Sequence, residues 1–274
     1  MPTAPPSRRS APSGSLAEPP LPGDDPTLFG LDLRGLRERW APTAARPPMT
    51  AEAMVGADRR AQALGVPGER LMEQAGTATA AAARALAIET DRWGHGPIVI
   101  FAGPGNNGGD GFVAARHLAH AGADVVVALV SGEARPGTID AARNWDRLQR
   151  APRVQLVHAP VARDVAILGQ GIEKAAIVVD ALLGTGVRGT LREPVRSAVE
   201  VVNRARGAMV PVLAVDTPTA VDLSSGQPSD PAVRADLTIT FHRPKTGLRT
   251  RLGAALAGRV LVAPIGIPPE ADRG

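Results

Sequence analysis

The sequence predicts a three-layer, doubly wound α/β fold with a mostly parallel sheet. Five short aliphatic runs alternate with longer stretches of helical periodicity, a pattern typical of right-handed parallel crossovers. Hydrophobic residues make up 44% of the chain and aromatic residues only 3%, so the core must be built from Val, Leu, Ile and Ala. The predicted strands are Ile98–Ala102, Val125–Val130, Val154–Val157, Ala176–Asp180 and Pro211–Asp216, with two more at Leu237–Phe241 and Arg259–Val262. The helices between them are expected near Gly111–Ala121, Thr138–Arg150, Ala162–Lys174 and Arg192–Arg206.

Residues 1–45 differ in composition from the rest and are predicted to form a disordered tail. This stretch is rich in Pro, Ser, Ala and Arg, and it offers too little apolar surface to order itself. A short docking patch around Leu28–Leu33 is the alternative. The folded domain is expected over residues 46–274 and opens with two helices, the second from Glu69 to Ile88. Gly76 inside that helix predicts close packing against another backbone.

Composition excludes several classes of function. The chain has no cysteine, which rules out disulfides, thiolate metal sites and cysteine nucleophiles. The net charge of +4 is modest, and five arginines lie within the first 45 residues, so no nucleic-acid partner is expected. No run approaches the roughly 18 apolar residues of a membrane span, and no signal peptide is recognisable. We therefore expect a cytoplasmic protein that does not associate with membranes.

Three predicted strands end in unusual loops. The first strand leads into a loop with five glycines between Gly103 and Gly111, and glycine allows the backbone to approach a ligand closely. Asp180 ends the fourth strand before a second glycine-rich loop, and Asp216 ends the fifth strand before Pro218. A helix cap is the alternative role for a single strand-end aspartate. Because ligands of open α/β sheets bind outside the carboxyl ends of the strands, the three loops together predict one ligand site.

The glycine pattern alone leaves the ligand open. Gly103–Gly108 fits G-x-G-x-x-G after a strand, which is typical of redox dinucleotide sites. The acidic residue that such sites carry about 20 residues later is poorly placed, since only Glu133 is available. Asp110 also puts a carboxylate where a phosphate favours positive potential. A role for Asp110 in capping the helix, or in binding ribose hydroxyls or a cation, fits better.

Several stretches resemble one known family. They are GPGNNGGDG at 103–111, VDALLGTGVRG at 179–189 and AVDTPTAVDLSSG at 214–226, with LMEQAG at 71–76 and TITFHRPKTGL at 238–248 in the same order. Together they resemble the YjeF N-terminal domain family, whose enzymes are NAD(P)H-hydrate epimerases, over about residues 48 to 268. The resemblance implies a Rossmann-like fold, a homodimer and a bound potassium ion.

The resemblance also implies roles for individual residues. It places Asp216 as the acid that binds the substrate, NADHX or NADPHX. Asn107, Asp180 and Thr219 match the potassium ligands, and hard oxygen donors suit that cation. The other residues expected to contact the substrate are Asn106, Asn107, Gly108, Gly109, Asp110, Gly184, Thr185, Gly186, Val187, Arg188, Gly189 and Thr190.

The implied reaction inverts C6 of a reduced nicotinamide ring that carries a hydroxyl in the R or S configuration. The hydroxyl must leave and return on the other face, with proton transfer. Asp216 is the candidate general acid/base, since a positioned carboxylate can serve this role. Lys245 is a second candidate for the site, with an ordinary surface lysine as the alternative.

The third loop departs from the family pattern Asp-Ile-Pro-Ser-Gly. Thr219 keeps a hydroxyl, but Ala220 replaces the usual glycine. If that position needs a positive φ, alanine carries strain of roughly 1 kcal/mol or more. Ser224 also stands where a second acid is common. These changes motivate a competing hypothesis of a non-catalytic binding or scaffold module.

Two further expectations concern other activities. Bifunctional homologues continue into a dehydratase domain at about the position of Pro268, close to the end of this chain. We therefore expect an enzyme that catalyses only the epimerisation and relies on a separate dehydratase. An ordinary NAD-dependent oxidoreductase is a third hypothesis. It is disfavoured because the chain has no tyrosine for the general acid of one large class and no clear ribose-binding acid.

Overall fold

The sheet is fully parallel and has seven strands. The structure is a computed structural model that describes residues 18–184 and 189–273. The spatial order of the strands is β3-β2-β1-β4-β5-β6-β7, which confirms the doubly wound prediction. The strands are β1 Ile98–Ala102, β2 Val125–Leu129, β3 Val154–His158, β4 Ile177–Ala181, β5 Val212–Val215, β6 Leu237–Phe241 and β7 Arg259–Ala263.

Helices cover both faces of the sheet and form two cores. Side chains alternate along each strand, so Ile98 and Ile100 pack with α3 to α6, whereas Val99 and Phe101 pack with α7 and α8. The helices are α1 Leu33–Arg39, α2 Ala41–Ala44, α3 Ala51–Ala63, α4 Gly68–Glu89, α5 Asn106–His120, α6 Ile139–Leu148, α7 Ala162–Leu168, α8 Val195–Gly207 and α9 Arg251–Ala257.

One predicted helix is shorter in the structure. The helix expected over Ala162–Lys174 ends at Leu168, and Gly171 adopts a left-handed conformation with φ of 77°. A short 3-10 turn follows over Ile172–Lys174. The break lies at glycines because glycine is a weak helix former and reaches positive φ without steric cost.

The prediction of a disordered tail up to residue 45 is wrong for the part of that stretch that the structure describes. Asp32 is the N-cap of helix α1, and its side chain accepts a hydrogen bond from the Gly35 amide; α2 follows directly. Leu33, Leu36 and Trp40 are buried in the core at helical spacing. These large side chains bury enough surface to order a segment whose overall composition suggests disorder. Residues 1–17 lie outside the described ranges.

The chain order of the strands locates a crevice. From β1 the chain moves outward to β2 and β3, and then crosses back to β4 beside β1 before moving outward on the other side. The helices after β1 and β4 therefore diverge at this switch point, where ligands of such sheets bind. Within the described residues, no helix is both long and apolar enough to cross a lipid bilayer.

Candidate functional site

The glycine-rich stretch after β1 is only partly a loop. Helix α5 begins at Asn106, with Gly105 at its N-cap, so the predicted loop up to Gly111 is wrong beyond Gly105. A Cβ added at Gly103 would lie 1.9 Å from the carbonyl oxygen of Leu182, and one at Gly108 would lie 1.9 Å from that of Gly103. Any side chain there would push the turn away from the end of β4. Close backbone packing therefore requires both glycines.

Glycines also let the neighbouring helices approach one another and the sheet. A Cβ at Gly76 in α4 would lie 2.3 Å from Cβ of Val113 in α5, which confirms the predicted close packing. A Cβ at Gly111 would lie 2.8 Å from Cβ of Ala181 in β4. The first turn of α5 is thus held at the switch point, where its leading amides have no partner within the helix.

Asp180 is completely buried at the end of β4 and is bound by the loop after β5. Its Oδ1 accepts hydrogen bonds from the Thr219 hydroxyl (2.7 Å) and the Leu182 amide (3.2 Å), and its Oδ2 accepts one from the Thr219 amide (2.7 Å). Burial raises the pKa of Asp180 to about 6, although these hydrogen bonds oppose the rise. The structure thus brings Asp180 and Thr219 together.

Asn107 lies beside this pair. Its Oδ1 is 3.1 Å from the position that a Cβ on Gly184 would take, and the Leu183 amide donates to the Thr219 hydroxyl at 3.1 Å. Asn107 and Thr219 therefore meet the same short segment after β4. Among the described residues, the buried side-chain nitrogen of Asn107 has no hydrogen-bond partner. Such a group is rare in folded proteins, so this side chain is suited to meet a ligand.

Asp216 ends β5 with a left-handed backbone, φ 61°, which aspartate tolerates better than most residues. Its amide donates to the Ile239 carbonyl at 2.7 Å, so the strained residue is anchored to β6. Its Oδ1 accepts a hydrogen bond from the Thr240 hydroxyl at 2.9 Å. Within the described ranges its Oδ2 receives none, and the side chain keeps 13% of its surface exposed. One carboxylate oxygen is therefore available to a ligand.

Lys245 is fully buried beside Asp216. Its Nζ donates to the Thr240 hydroxyl (2.9 Å) and the Phe241 carbonyl (2.7 Å), and lies 3.4 Å from Oδ1 of Asp216. Burial lowers the pKa of Lys245, while Asp216 opposes the shift. The alternative of an ordinary surface lysine is wrong, and Lys245 belongs to the site.

Asp110 is the fifth residue of α5, so it lies inside the helix and does not cap it. It keeps some exposed surface, yet protein atoms enclose it closely enough that burial raises its pKa well above the usual value. The charges of Asp216 and, less strongly, Asp58 raise it further. The site therefore holds two carboxyl groups in different surroundings, one beside a lysine and one beside other acids.

The third loop contains a strained alanine and a serine that contacts α3. Ala220 has a φ of 72°, in the left-handed region where glycine is favoured, so the strain predicted for this alanine is present. Ser224 instead links the loop to α3. It accepts a hydrogen bond from the Ala51 amide at 3.0 Å and donates to Glu52 at 2.9 Å.

Some predicted substrate contacts lie apart or outside the described residues. Gly184 is next to Asn107, whereas the Gly189 carbonyl accepts a hydrogen bond from Ser229 at 2.8 Å, on the loop that follows β5. The predicted contacts Thr185, Gly186, Val187 and Arg188 lie outside the described residues.

Sequence reasoning missed Thr240 as a member of the site. Thr238 and Thr240 interrupt an otherwise aliphatic strand and point to the same face, which was the available signal.

Two cavities, of about 390 and about 410 Å³, lie at the amino ends of strands, away from these residues. One lies against α1, β6 and β7, and the other against the start of β1. Among the described residues, no three His, Asp or Glu side chains are grouped to hold a metal ion. The candidate site is therefore defined by its side chains at the carboxyl edge of the sheet.

Comparison with known proteins agrees with this geometry. Residues 68–247 match the family described as YjeF-related protein N-terminus. The chain is 39% identical over 226 residues to an NAD(P)H-hydrate epimerase of Cenarchaeum symbiosum, which covers 82% of this chain and 98% of that protein. It is 44% identical over 220 residues to a bifunctional NAD(P)H-hydrate repair enzyme of Methanothermobacter thermautotrophicus, which covers 80% of this chain and only 40% of that protein.

A solved structure shows the same architecture. The crystal structure of the yeast protein ynu0 superposes with a TM-score of 0.63 at 25% identity, covering 74% of this chain and 83% of the yeast chain. The family match over residues 68–247 spans β1 to β6 and the loops that carry the candidate site. The chain belongs to the family of YjeF-related protein N-terminal domains.

Proposed function

We propose that the protein is an NAD(P)H-hydrate epimerase, an isomerase that interconverts the R and S forms of NADHX and NADPHX. The observation that carries this proposal is the cluster of Asp216, Thr240 and Lys245 at the carboxyl edge of the sheet. It presents an ion-paired carboxylate with one open oxygen at the switch point of the fold. The names of the archaeal relatives support the same activity.

In the proposed reaction, the C6–O bond breaks as the hydroxyl takes a proton and leaves as water. A water then adds to the other face of C6 and returns a proton. Oδ1 of Asp216 faces Thr240 and Lys245, and its Oδ2 is open among the described residues, which suits Asp216 to accept the proton of the entering water. Burial and the nearby acids raise the pKa of Asp110, which favours its protonated form and suits it to supply the proton.

The raised pKa of Asp110 also reduces negative charge near the start of α5. This favours the phosphates of the substrate at the positive end of the α5 dipole. We expect Asn106 to Asp110 and the segment from Gly184 to Thr190 to form opposite walls of the site.

Asn107, Asp180 and Thr219 would hold the potassium ion. An amide, a carboxylate and a hydroxyl oxygen are suitable donors for a hard cation. The residues fit such an ion because Asp180 is fully buried with no cationic side chain beside it among the described residues, and the Thr219 hydroxyl and the Asn107 carboxamide oxygen lie at the same segment after β4. The ion would supply positive charge to Asp180 and fix Asn107 at the start of α5.

We further propose a cytoplasmic homodimer. The dimer follows from the family resemblance, and light scattering after gel filtration would measure the mass against the 28.3 kDa of one chain. A monomeric mass at micromolar concentration would contradict the dimer.

Chiral-phase chromatography of pure R-NADHX tests the activity. We expect the protein to speed the approach to the R/S equilibrium far beyond the spontaneous rate, and a rate equal to the spontaneous rate would overturn the proposal. Thr219→Ser and Thr219→Val form a matched pair for the ion. Activation by KCl should persist in the serine variant, which keeps the hydroxyl, and be lost in the valine variant.

A non-catalytic binding module is the second candidate, favoured by the strained Ala220 in the third loop. It predicts no epimerisation and no thermal shift with NADHX, together with a stoichiometric protein partner. Turnover of R-NADHX would exclude it.

A further inference from the structure

The loop that carries Lys245 holds its ammonium with backbone carbonyls. Only two of the 31 basic residues are lysines, Lys174 and Lys245, and Lys245 is the buried one. Its Nζ donates to the carbonyls of Phe241 at 2.7 Å and Arg243 at 3.2 Å. His242 between them has a φ of 67°, and this left-handed residue directs the two carbonyls to one ammonium. The position of Lys245 therefore depends on the backbone of this loop.

Asp272 holds the side chain of Arg243 and lies beside that of His242. Its Oδ1 accepts a hydrogen bond from Nη1 of Arg243 at 3.0 Å and lies 3.0 Å from Nε2 of His242. Burial lowers the pKa of His242, and the guanidinium groups of Arg243 and, at 4.0 Å from Oδ2, Arg46 place positive charge opposite Asp272. Arg60 in turn fixes the segment around Asp272 by donating to the carbonyls of Ala271 and Arg273, each at 2.9 Å.

A second segment holds the loop from the other side. The Met49 amide donates to the Pro244 carbonyl, and the Thr246 amide donates to the Met49 carbonyl, each at 2.9 Å. Arg243 also donates to the Pro47 carbonyl at 2.8 Å. The loop is thus clasped between residues 47–49 and 271–273, and Arg243 contacts both segments.

We propose that Asp272 is a positioning residue, which fixes the loop that presents the Phe241 and Arg243 carbonyls and through them holds the Lys245 ammonium against Asp216. The catalytic consequence rests on the proposed function. A buried ammonium that loses its acceptors is costly, so a loosened loop would release Lys245 towards water. Asp272 touches neither the substrate region nor Lys245, and it acts only through the loop.

The test compares Asp272→Asn with Asp272→Glu and with Glu270→Gln. The first keeps the size and removes the charge, the second keeps the charge, and the third removes an exposed charge two residues away. Lysine acylation by an N-hydroxysuccinimide ester is followed by mass spectrometry, with the exposed Lys174 as internal reference. We expect Asp272→Asn to raise the rate of acylation at Lys245 about tenfold relative to Lys174, because local opening of the loop would expose the buried amine to the reagent. Asp272→Glu should restore most of the protection, and Glu270→Gln should match the wild type.

Kinetics on R-NADHX give the second measurement. We expect kcat to fall about 10- to 100-fold in Asp272→Asn, the size expected for a displaced catalytic group, with a much smaller change in KM. Unchanged Lys245 acylation in a folded Asp272→Asn protein would overturn the proposal, as would faster acylation with an unchanged kcat.

If the wild type does not epimerise, the proposed function fails, while acylation still decides whether Asp272 positions Lys245. If Asp272→Asn does not fold, Arg243→Gln breaks the contact from the other side and leaves Asp272 and His242 in place. Wild-type acylation of Lys245 in that variant would then overturn the proposal.

Discussion

Asp180 and Asp216 end neighbouring parallel strands, and both were candidates from the sequence, yet their surroundings differ. Asp180 is fully buried, and three hydrogen-bond donors from the loops around it occupy both of its oxygens. Asp216 is bound through one oxygen only, lies beside Lys245 and keeps part of its surface exposed. Asp180 therefore links the loops that follow β4 and β5, while Asp216 keeps one carboxylate oxygen open to a ligand among the described residues.

This difference shows that the position of an acid at a strand end does not assign its role. The groups that contact each carboxylate determine its role, and several of these groups come from distant parts of the chain. Thr219 follows β5, whereas Lys245 follows β6. The two aspartates should therefore respond differently to the same substitution.

Asp216→Asn should have the largest effect. We expect the rate of R-NADHX epimerisation to fall by at least about 100-fold, because the general base is lost. The thermal midpoint should change little, since asparagine also tolerates a positive φ. Asp91→Asn is a matched control, because Asp91 is exposed and also has a positive φ, 55°. Near-wild-type turnover in Asp216→Asn would remove Asp216 as the catalyst.

Asp180→Asn should lower stability and, because Asp180 would hold the potassium ion, also weaken activation by KCl. The new amide group faces the Thr219 donors, so at least one buried hydrogen bond is lost, at a cost of about 1–3 kcal/mol. Urea denaturation followed by circular dichroism would measure the free energy of unfolding. An unchanged urea midpoint would mean that Asp180 does not tie the loops together.

Ala220→Gly tests the loop that joins the two aspartates. Relief of the left-handed alanine should raise the free energy of unfolding by about 0.5–1 kcal/mol. The same change at Ala214, in the middle of β5, should instead destabilise the protein by roughly 1 kcal/mol. If both variants were destabilised equally, the strain at Ala220 would be negligible.

Glu73 offers a third carboxylate, paired on the surface of α4 and remote from both aspartates. Burial would raise its pKa, but His117 and Arg116 lower it from 4.5 to about 2. The stability it contributes is therefore present above about pH 4.5 and is lost as the pH falls through 2. Glu73→Gln should cost less than about 1 kcal/mol at pH 7, because the pair is partly exposed. Urea titrations between pH 2 and 7 should show this difference vanishing in acid, and a constant difference would contradict it.

The strands and the two strand-end acids could be predicted because each depends on local pattern. Continuous aliphatic runs and intervening helices predict the parallel sheet, and a parallel sheet brings its carboxyl ends to one edge. No comparable pattern indicates the burial of Lys245, since lysine is almost always exposed.

The start of α5 shows why one predicted helix boundary is wrong. Gly103–Gly111 is a poor helix former by propensity, so a loop was predicted. The helix begins at Asn106 because the turn packs directly against the end of β4, and tertiary contact overrides the local preference. The ordered segment of Leu33–Ala44 was missed for a similar reason, since three large apolar side chains outweigh an otherwise polar composition.

Gly103 and Gly108 must remain glycine for the turn after β1 to close, whether or not a chain turns over substrate. A relative that had lost its chemistry would keep this stretch, while its counterparts of Asp216 and Lys245 would be free to drift. In a genome survey, the glycines would then identify the architecture alone. The aspartate–lysine pair would separate the working enzymes from the scaffolds.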